Sequence, residues 1–150
     1  MRVIRIALFS LTCWLAACTT TPATESGGTD ALQGTWVVTA GQHEGKSMDV
    51  VVGGVLTITG NNFKIHTASG ADLQGQLQID ASKRPAEINF VHTSDVLKGT
   101  RWLAIYKIEG QTLSLNYVDA VLQEPRPSQF VTSNATEASL LTLRRDGVPK

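Results

Sequence analysis

The 150-residue chain carries 13 basic and 13 acidic side chains and only two cysteines. A net charge of zero leaves no excess of cations to neutralise phosphates, so we expect no nucleic-acid partner. Two cysteines cannot form a four-thiolate zinc site or a disulfide framework. The length is sufficient for one hydrophobic core of ordinary size.

The first 17 residues have the pattern of a secretory signal peptide. Arg2 and Arg5 give a positive start, and the run from Ile6 to Ala17 is apolar apart from Ser10 and Thr12. About a dozen apolar residues are too few to cross a bilayer, which requires about 20 in a helix. A basic start, a short apolar run and small residues at its end predict a cleaved signal over residues 1–17.

The seam after this run resembles the lipobox of bacterial lipoproteins, with Leu15, Ala16 and Ala17 followed by Cys18. The resemblance implies that a diacylglyceryl group is attached to the Cys18 thiol and that a signal peptidase cuts before Cys18. It predicts a protein of the bacterial cell envelope that is anchored to a membrane by the lipid on Cys18. In the best-known sorting rule for such proteins, Asp after the cysteine means retention in the inner membrane. In a bacterium that has two membranes and follows this rule, Thr19 implies the outer membrane.

Processing at this seam changes the inventory of thiols and charges. Cys13 is removed and Cys18 carries the lipid, so a cysteine nucleophile and a thiolate zinc site are excluded. Loss of Arg2 and Arg5 leaves 11 basic against 13 acidic side chains, a net charge of about −2. Attachment to a membrane would then depend on the lipid chains rather than on a basic patch.

Residues 18–31 follow as a polar segment, "CTTTPATESGGTDA", that is rich in Thr, Ser, Gly and Ala. Such a composition cannot bury enough apolar surface to offset its ordering entropy, so it predicts a flexible tether. The folded β domain is expected to comprise residues 32–150.

From Leu32 onward apolar and polar residues alternate with a period of two, which predicts antiparallel strands with one wet face. Residues 42–52 are compatible with a short helix. Eight or nine short strands favour an all-β fold, either a closed up-and-down barrel or a sandwich. The predicted strands are 34–40, 54–60, 62–67, 73–79, 86–91, 100–108, 112–118, a short one at 128–131, and 139–145.

The strand that begins Gly34-Thr35-Trp36 is similar to the Gly-x-Trp start of lipocalins. The segments "GVLTITGNNFKI", "GTRWLAIYKIEGQTLSLNYV" and "EPRPSQF" resemble an uncharacterised lipocalin-like domain of bacterial secreted proteins and lipoproteins. That family usually has a Cys where this chain has Asn116. The resemblance implies an up-and-down barrel of about eight strands, with Trp36 at one end and either Arg144 or Arg145 packed across its ring.

Ligand-binding candidates come from the alternation and from one proline-rich loop. Phe63, Phe90, Trp102 and Tyr106 fall on the face assigned to the barrel interior, where Gly75 and Ala104 are expected to leave room. The competing interpretation is that these side chains simply fill the barrel. In "LQEPRPSQF", Arg126 between two prolines indicates either a rim that meets an anionic ligand or a rigid loop.

No catalytic constellation is visible. His43, His66 and His92 are scattered, without a spacing typical of metal ligands. No serine lies in a G-x-S-x-G turn and the carboxylates are dispersed. We therefore expect no enzyme activity, no cofactor and no metal site.

Two functions remain for a domain of this kind. The first is a membrane-anchored binding module that holds a small apolar or amphipathic ligand in its barrel. The alternative is an envelope module with a filled barrel that contacts another protein or the cell wall and binds no ligand.

Overall fold

The computed structural model describes residues 29–147, without the side chain of Asp95. The predicted signal peptide, Cys18 and most of the predicted tether lie outside these residues. The longest helix among them has four residues, too short to cross a bilayer. The elements are α1 (Thr29–Leu32), β1 (Gly34–His43), β2 (Lys46–Ser47), β3 (Val55–Thr59), β4 (Asn62–His66), β5 (Asp72–Asp80), β6 (Ala86–His92), β7 (Arg101–Glu109), β8 (Thr112–Asp119) and β9 (Ser139–Arg145), with 3₁₀ turns at Asp49–Val51, Asp95–Leu97 and Ala120–Leu122.

The strands form a closed antiparallel barrel. Each of β3 to β8 pairs with the next strand along the chain, and β1 pairs with both β3 and β9. The two-residue β2 pairs antiparallel with the end of β1 and lies outside the circle of eight. The predicted all-β, up-and-down barrel of about eight strands is therefore confirmed, and the sandwich is excluded because the sheet closes on itself.

Up-and-down order places alternate connections at opposite ends of the barrel. We call one end the plug: it comprises α1 and the turns at 60–61, 81–85 and 110–111. We call the other end the mouth: it comprises the connections at 44–54, 67–71, 93–100 and 120–138. All three 3₁₀ turns belong to the mouth.

The plug is built around a buried tryptophan. Trp36 is fully buried and its indole Nε1 donates to Leu32 O at 2.9 Å. The guanidinium carbon of Arg145 lies 4.1 Å from the ring centroid, within the range of a cation–π contact. Arg145 also donates to Gln33 O at 2.6 Å and to Ala31 O at 2.7 Å, so it ties α1 to the last strand.

The side-chain alternation of β9 distinguishes the two arginines. Arg145 shares the inward face with Trp36, its partner in the β1–β9 pairing. Arg144 is opposite Val37 and therefore lies on the outward face, so Arg145 is the residue across the tryptophan ring. Because α1 includes 29–31, the folded part of the chain begins before the predicted boundary at Leu32.

The middle of the barrel is filled with side chains. Phe63 and Phe90 meet edge to face with centroids 5.0 Å apart, and Tyr106 and Leu115 are buried with them in one core cluster. Among the described residues, the core cluster extends from Leu32 to Leu143 and so includes residues from the first strand of the barrel to the last.

The expectation that Gly75 leaves room for a ligand is wrong. A Cβ added at Gly75 would lie 2.8 Å from Phe63 Cε1 and would also collide with Val91 O. The glycine permits close packing of the Phe63 ring. Ala104 is fully buried in the same core. The residues assigned to the inward face of the strands are buried or partly buried in the core cluster, so that assignment is correct.

The connection from β8 to β9 crosses the outer face of the barrel, and we call residues 123–138 the strap. The strand predicted at 128–131 does not form. The Asn116 amide donates to Gln129 O at 2.7 Å and to Val131 O at 3.0 Å, so a side chain takes the place of a neighbouring strand. The strap thereby covers outward residues of β7 and β8, including Ile105 and Val118, which are buried.

Candidate functional site

The inward-facing positions change character toward the mouth. In the middle of the barrel the inward side chains are aliphatic or aromatic, whereas those nearest the mouth include polar groups. The inward residues at the mouth are His43 on β1, His92 on β6, Trp102 on β7, Tyr117 and Asp119 on β8, and Ser139 on β9. Register brings these residues together, because Tyr117 is directly opposite Ser139 and Ser139 is directly opposite His43. The mouth is thus an aromatic and polar site on a rigid frame.

Two aromatic rings form the part of this site that reaches solvent. Trp102 and Tyr117 are half-buried and stack with centroids 4.8 Å apart and planes at 27°. Trp102 also contacts the His92 ring, with centroids 4.4 Å apart at 70°. Such a shelf offers flat apolar area with a phenolic hydroxyl at one side.

His92 lies beneath the shelf and is 1% exposed. Within residues 29–147, neither ring nitrogen has a hydrogen-bond partner, and the nearby Ser94 Oγ is also buried without one. Leaving a buried polar group unpaired costs about 1–3 kcal/mol. Its edge-on contacts with Trp102 and Phe63 supply at most the weak attraction of an aromatic face.

Burial lowers the pKa of His92, and the Asp119 carboxylate opposes that change. The imidazole is therefore neutral at physiological pH and presents one N–H donor and one nitrogen acceptor. A neutral group that both donates and accepts hydrogen bonds is the natural partner for it.

A hydrogen bond joins β9 to β1 on one side of the mouth, where Ser139 Oγ lies 3.1 Å from His43 Nδ1. Tyr117 is directly opposite Ser139, and burial raises the pKa of Tyr117, so its hydroxyl stays protonated and acts as a donor or acceptor rather than an anion. The bond to Ser139 fixes the orientation of the His43 ring.

The loops around the mouth expose large apolar side chains. Val96 is 94% exposed on the second 3₁₀ turn, and the other exposed aliphatic residues of the mouth lie in or beside the first and third turns. Exposed aliphatic side chains are typical of a contact surface where they form a continuous patch. The exposed set of the mouth turns is Val50, Val52, Val96, Val121 and Leu122.

The predicted ligand-binding residues are divided among three places. Trp102 lies at the mouth, whereas Phe63, Phe90 and Tyr106 are buried in the filled middle. Burial raises the pKa of Tyr106, which agrees with its position in the core. A ligand contact for these three residues stays a prediction.

Arg126, the fifth predicted ligand-binding residue, belongs to the strap and lies on the outside of the barrel. It donates to Ala104 O at 2.6 Å, Ile88 O at 3.3 Å and Asn89 Oδ1 at 2.6 Å, and its Nε lies 3.3 Å from Glu87 Oε2. A pocket of about 220 Å³ between strap and barrel is lined in part by Arg126. These contacts hold the strap against the barrel, and the predicted contact of Arg126 with a ligand stays a prediction.

Sequence reasoning missed the polar members of the mouth. The period-two pattern of β6 runs through Ile88 and Phe90 and places His92 on the same inward face, so this signal was present. The partnership of Tyr117, Ser139 and His43 has no local signal, because it joins three strands distant in sequence.

Comparison with known proteins identified no relative of the chain: no family model, no curated protein and no solved structure matches it.

Proposed function

We propose that the protein is a lipid-anchored lipoprotein of the bacterial envelope whose lipocalin-like barrel binds a small amphipathic ligand at its mouth. The Gly-x-Trp start, the Trp36–Arg145 contact and the up-and-down barrel support the lipocalin comparison. The site is shallow, because the filled middle of the barrel leaves the mouth as the accessible part of the interior.

The observation that carries this proposal is the unpaired His92 under a half-exposed aromatic shelf. Every comparable polar group at the plug has a partner, whereas both His92 nitrogens are buried without one among the described residues. A ligand with one polar group would form a hydrogen bond with the His92 ring. Its apolar part would lie against Trp102 and the exposed aliphatic side chains of the turns.

The same geometry defines the chemistry of the ligand's polar group. His92 is neutral, and the Asp119 carboxylate contributes a negative charge nearby. An uncharged hydroxyl or amide is therefore favoured over a carboxylate, which would be desolvated beside a like charge. The apolar part is expected to be a ring or a short chain.

The proposed anchor would join the barrel at the plug. The chain enters through α1, at the end opposite the mouth. A tether attached there would leave the mouth free of the anchoring segment.

Replacement Cys18→Ser is expected to leave the protein unprocessed or outside its membrane. Lipid labelling and washed membrane fractions test this, and a Cys18→Ser variant that is still lipidated and membrane-bound would contradict the lipoprotein proposal.

Isothermal titration of the untagged chain beginning at Thr19 tests ligand binding. The probes are monooctanoylglycerol and octanoate, which share an acyl chain and differ in the charge of the polar group. We expect a dissociation constant of about 1–100 µM for monooctanoylglycerol and binding at least about tenfold weaker for octanoate.

Three variants assign the site. Trp102→Ala and His92→Leu are each expected to weaken the glyceride by at least about tenfold, whereas Val131→Ser on the strap leaves it unchanged. His92→Leu removes an unpaired polar group, so this variant keeps its fold and isolates the role of hydrogen bonding. If neither probe binds below about 1 mM, or if both variants bind as the parent does, the proposal is wrong.

The exposed side chains of the mouth turns favour the envelope interaction module as a second candidate. A photo-crosslinking residue at Val96 would then give a discrete adduct in intact cells, and one at Thr59 beside the plug would give none. Absence of a Val96-specific adduct would count against this candidate without affecting the ligand titration.

A further inference from the structure

At the rim of the mouth the fold assembles three metal-ligating side chains from distant parts of the chain. His43 ends β1, Glu44 follows it in the turn to β2, and Glu137 lies at the end of the strap, two residues before Ser139. One imidazole nitrogen and one oxygen from each carboxylate all lie within 4.8 Å of one another. The geometry points to a divalent transition-metal site formed by these three residues.

The orientation of the His43 ring leaves the correct nitrogen free. Nδ1 is hydrogen-bonded to Ser139 Oγ at 3.1 Å, and Ser139 is itself buried. When Nδ1–H donates to that hydroxyl, the lone pair of Nε2 faces Glu137. Metal-binding histidines are commonly held in this way, with the distal N–H bonded to an oxygen behind the ring.

The distances suit ligands of a shared ion better than they suit a direct bond. His43 Nε2 lies 4.0 Å from Glu137 Oε2, too far for a hydrogen bond. Bond lengths of about 2.0–2.2 Å put the donor atoms of a tetrahedral zinc ion about 3.3–3.5 Å apart. Side-chain rotation of the exposed carboxylates closes the remaining gap, because the backbone positions of the ligands are already fixed.

Contacts outside the cluster provide that fixation. Gly45 N, in the turn that carries Glu44, donates to Thr132 Oγ1 at 3.1 Å and so joins the turn to the strap. Glu137 precedes Ala138, which is buried against the barrel. The ligand positions are thereby held on β1 and the strap before any ion arrives.

Charge and ligand type define the cation. The cluster contains two carboxylates, of which Glu44 is paired with Lys46, whose Nζ is 4.0 Å from Glu44 Oε2 and whose side chain is 80% exposed. A mixed set of one imidazole and two carboxylates suits Zn²⁺ better than Ca²⁺ or Mg²⁺, which prefer oxygen ligands alone. Three protein ligands leave a coordination position for water.

Isothermal titration of ZnCl₂ into the untagged chain beginning at Thr19 tests the site. We expect one ion per chain with a dissociation constant of about 1–10 µM. His43→Ala and Glu137→Gln are each expected to weaken binding at least about tenfold, and Ser139→Ala, which removes the oxygen behind the ring, about 10–100-fold.

His66→Ala is the matched control. His66 is an exposed histidine whose Nδ1 lies 2.7 Å from Asp72, but that carboxylate is already paired with Lys64 at 3.2 Å. This variant is expected to bind zinc as the parent does, and circular dichroism of all variants confirms the barrel. Binding weaker than about 100 µM, unchanged binding by His43→Ala, or loss of binding in His66→Ala would overturn the proposal.

Discussion

The two ends of the barrel use aromatic and polar side chains in opposite ways. At the plug, the Trp36 indole N–H is hydrogen-bonded, its ring is covered by Arg145, and that guanidinium is bonded to two carbonyls of the entering chain. At the mouth, Trp102 is half-exposed and His92 is buried with both ring nitrogens unpaired among the described residues. The plug satisfies its own polar groups, and the mouth leaves some unsatisfied.

Under the proposed function, this difference separates stability from ligand binding within one small domain. Fully paired buried networks rigidify a fold, whereas unpaired buried groups lower its stability. The plug is then the end that holds the barrel together, and the mouth is the end proposed to bind the ligand.

Large-to-small replacement of the two tryptophans should show the largest contrast. Trp36→Ala is expected to lower the free energy of unfolding by about 3–5 kcal/mol, because it empties the buried plug. Trp102 is partly exposed, so Trp102→Ala should lower the free energy of unfolding by only about 1–2 kcal/mol. Urea denaturation of both variants checks this, and equal losses would mean that the mouth stabilises the fold as much as the plug does.

Removal of the Arg145 guanidinium should have an intermediate effect. Arg145→Met keeps much of the side-chain length but loses two hydrogen bonds and the cation–π contact, so we expect a loss of about 2–4 kcal/mol. Arg101→Met, at an exposed position of β7, is the control and should change the midpoint little. A denaturation midpoint for Arg145→Met equal to that of the control would contradict the stabilising role that we assign to Arg145 at the plug.

The smallest effect is a pH dependence at the mouth. Burial lowers the folded-state pKa of His92, whereas the unfolded value is about 6.5. Below about pH 6.5 the unfolded chain binds a proton that the folded one resists, so stability falls as pH decreases, by at most about 1.4 kcal/mol per pH unit.

His92→Gln should remove the contribution of His92 to the pH dependence of stability between about pH 7.5 and 5.5. Tyr117→Phe changes another ring that contacts Trp102 but keeps His92, so it should retain that pH dependence. The lowered pKa values of Asp72, bonded to His66, and of Asp80, bonded to Ser82, affect stability only near and below about pH 4. An identical slope in His92→Gln and in the parent would show that His92 does not titrate with unfolding.

Much of the fold could be predicted from local pattern, because strands with one wet face carry their own signal. The alternation of β5, from Leu73 to Ile79, identified the inward face correctly. The predicted strand at 128–131 was wrong because its carbonyl groups bond to the Asn116 side chain, a partner that no periodicity reveals. The close packing of Phe63 on Gly75 was likewise invisible without the pairing of β4 and β5.

The candidate site was less predictable than the fold. Trp102 is identifiable from the alternation of its strand, whereas the sequence shows His92 only as one of three scattered histidines. The unpaired burial of His92 depends on the rings that surround it. The cluster at the rim joins His43 to Glu137, which lie far apart in sequence and meet only because β1 and β9 close the barrel.

Fluorine NMR of the chain beginning at Thr19 tests the division between plug and mouth most directly. The chain from that point holds two tryptophans, one at each end, so 5-fluorotryptophan labelling gives two resonances that Trp102→Phe assigns. On titration with monooctanoylglycerol, the account predicts a saturable shift of the Trp102 resonance while that of Trp36 stays in place. A Trp102 resonance that does not move, or a Trp36 resonance that moves equally, would contradict it.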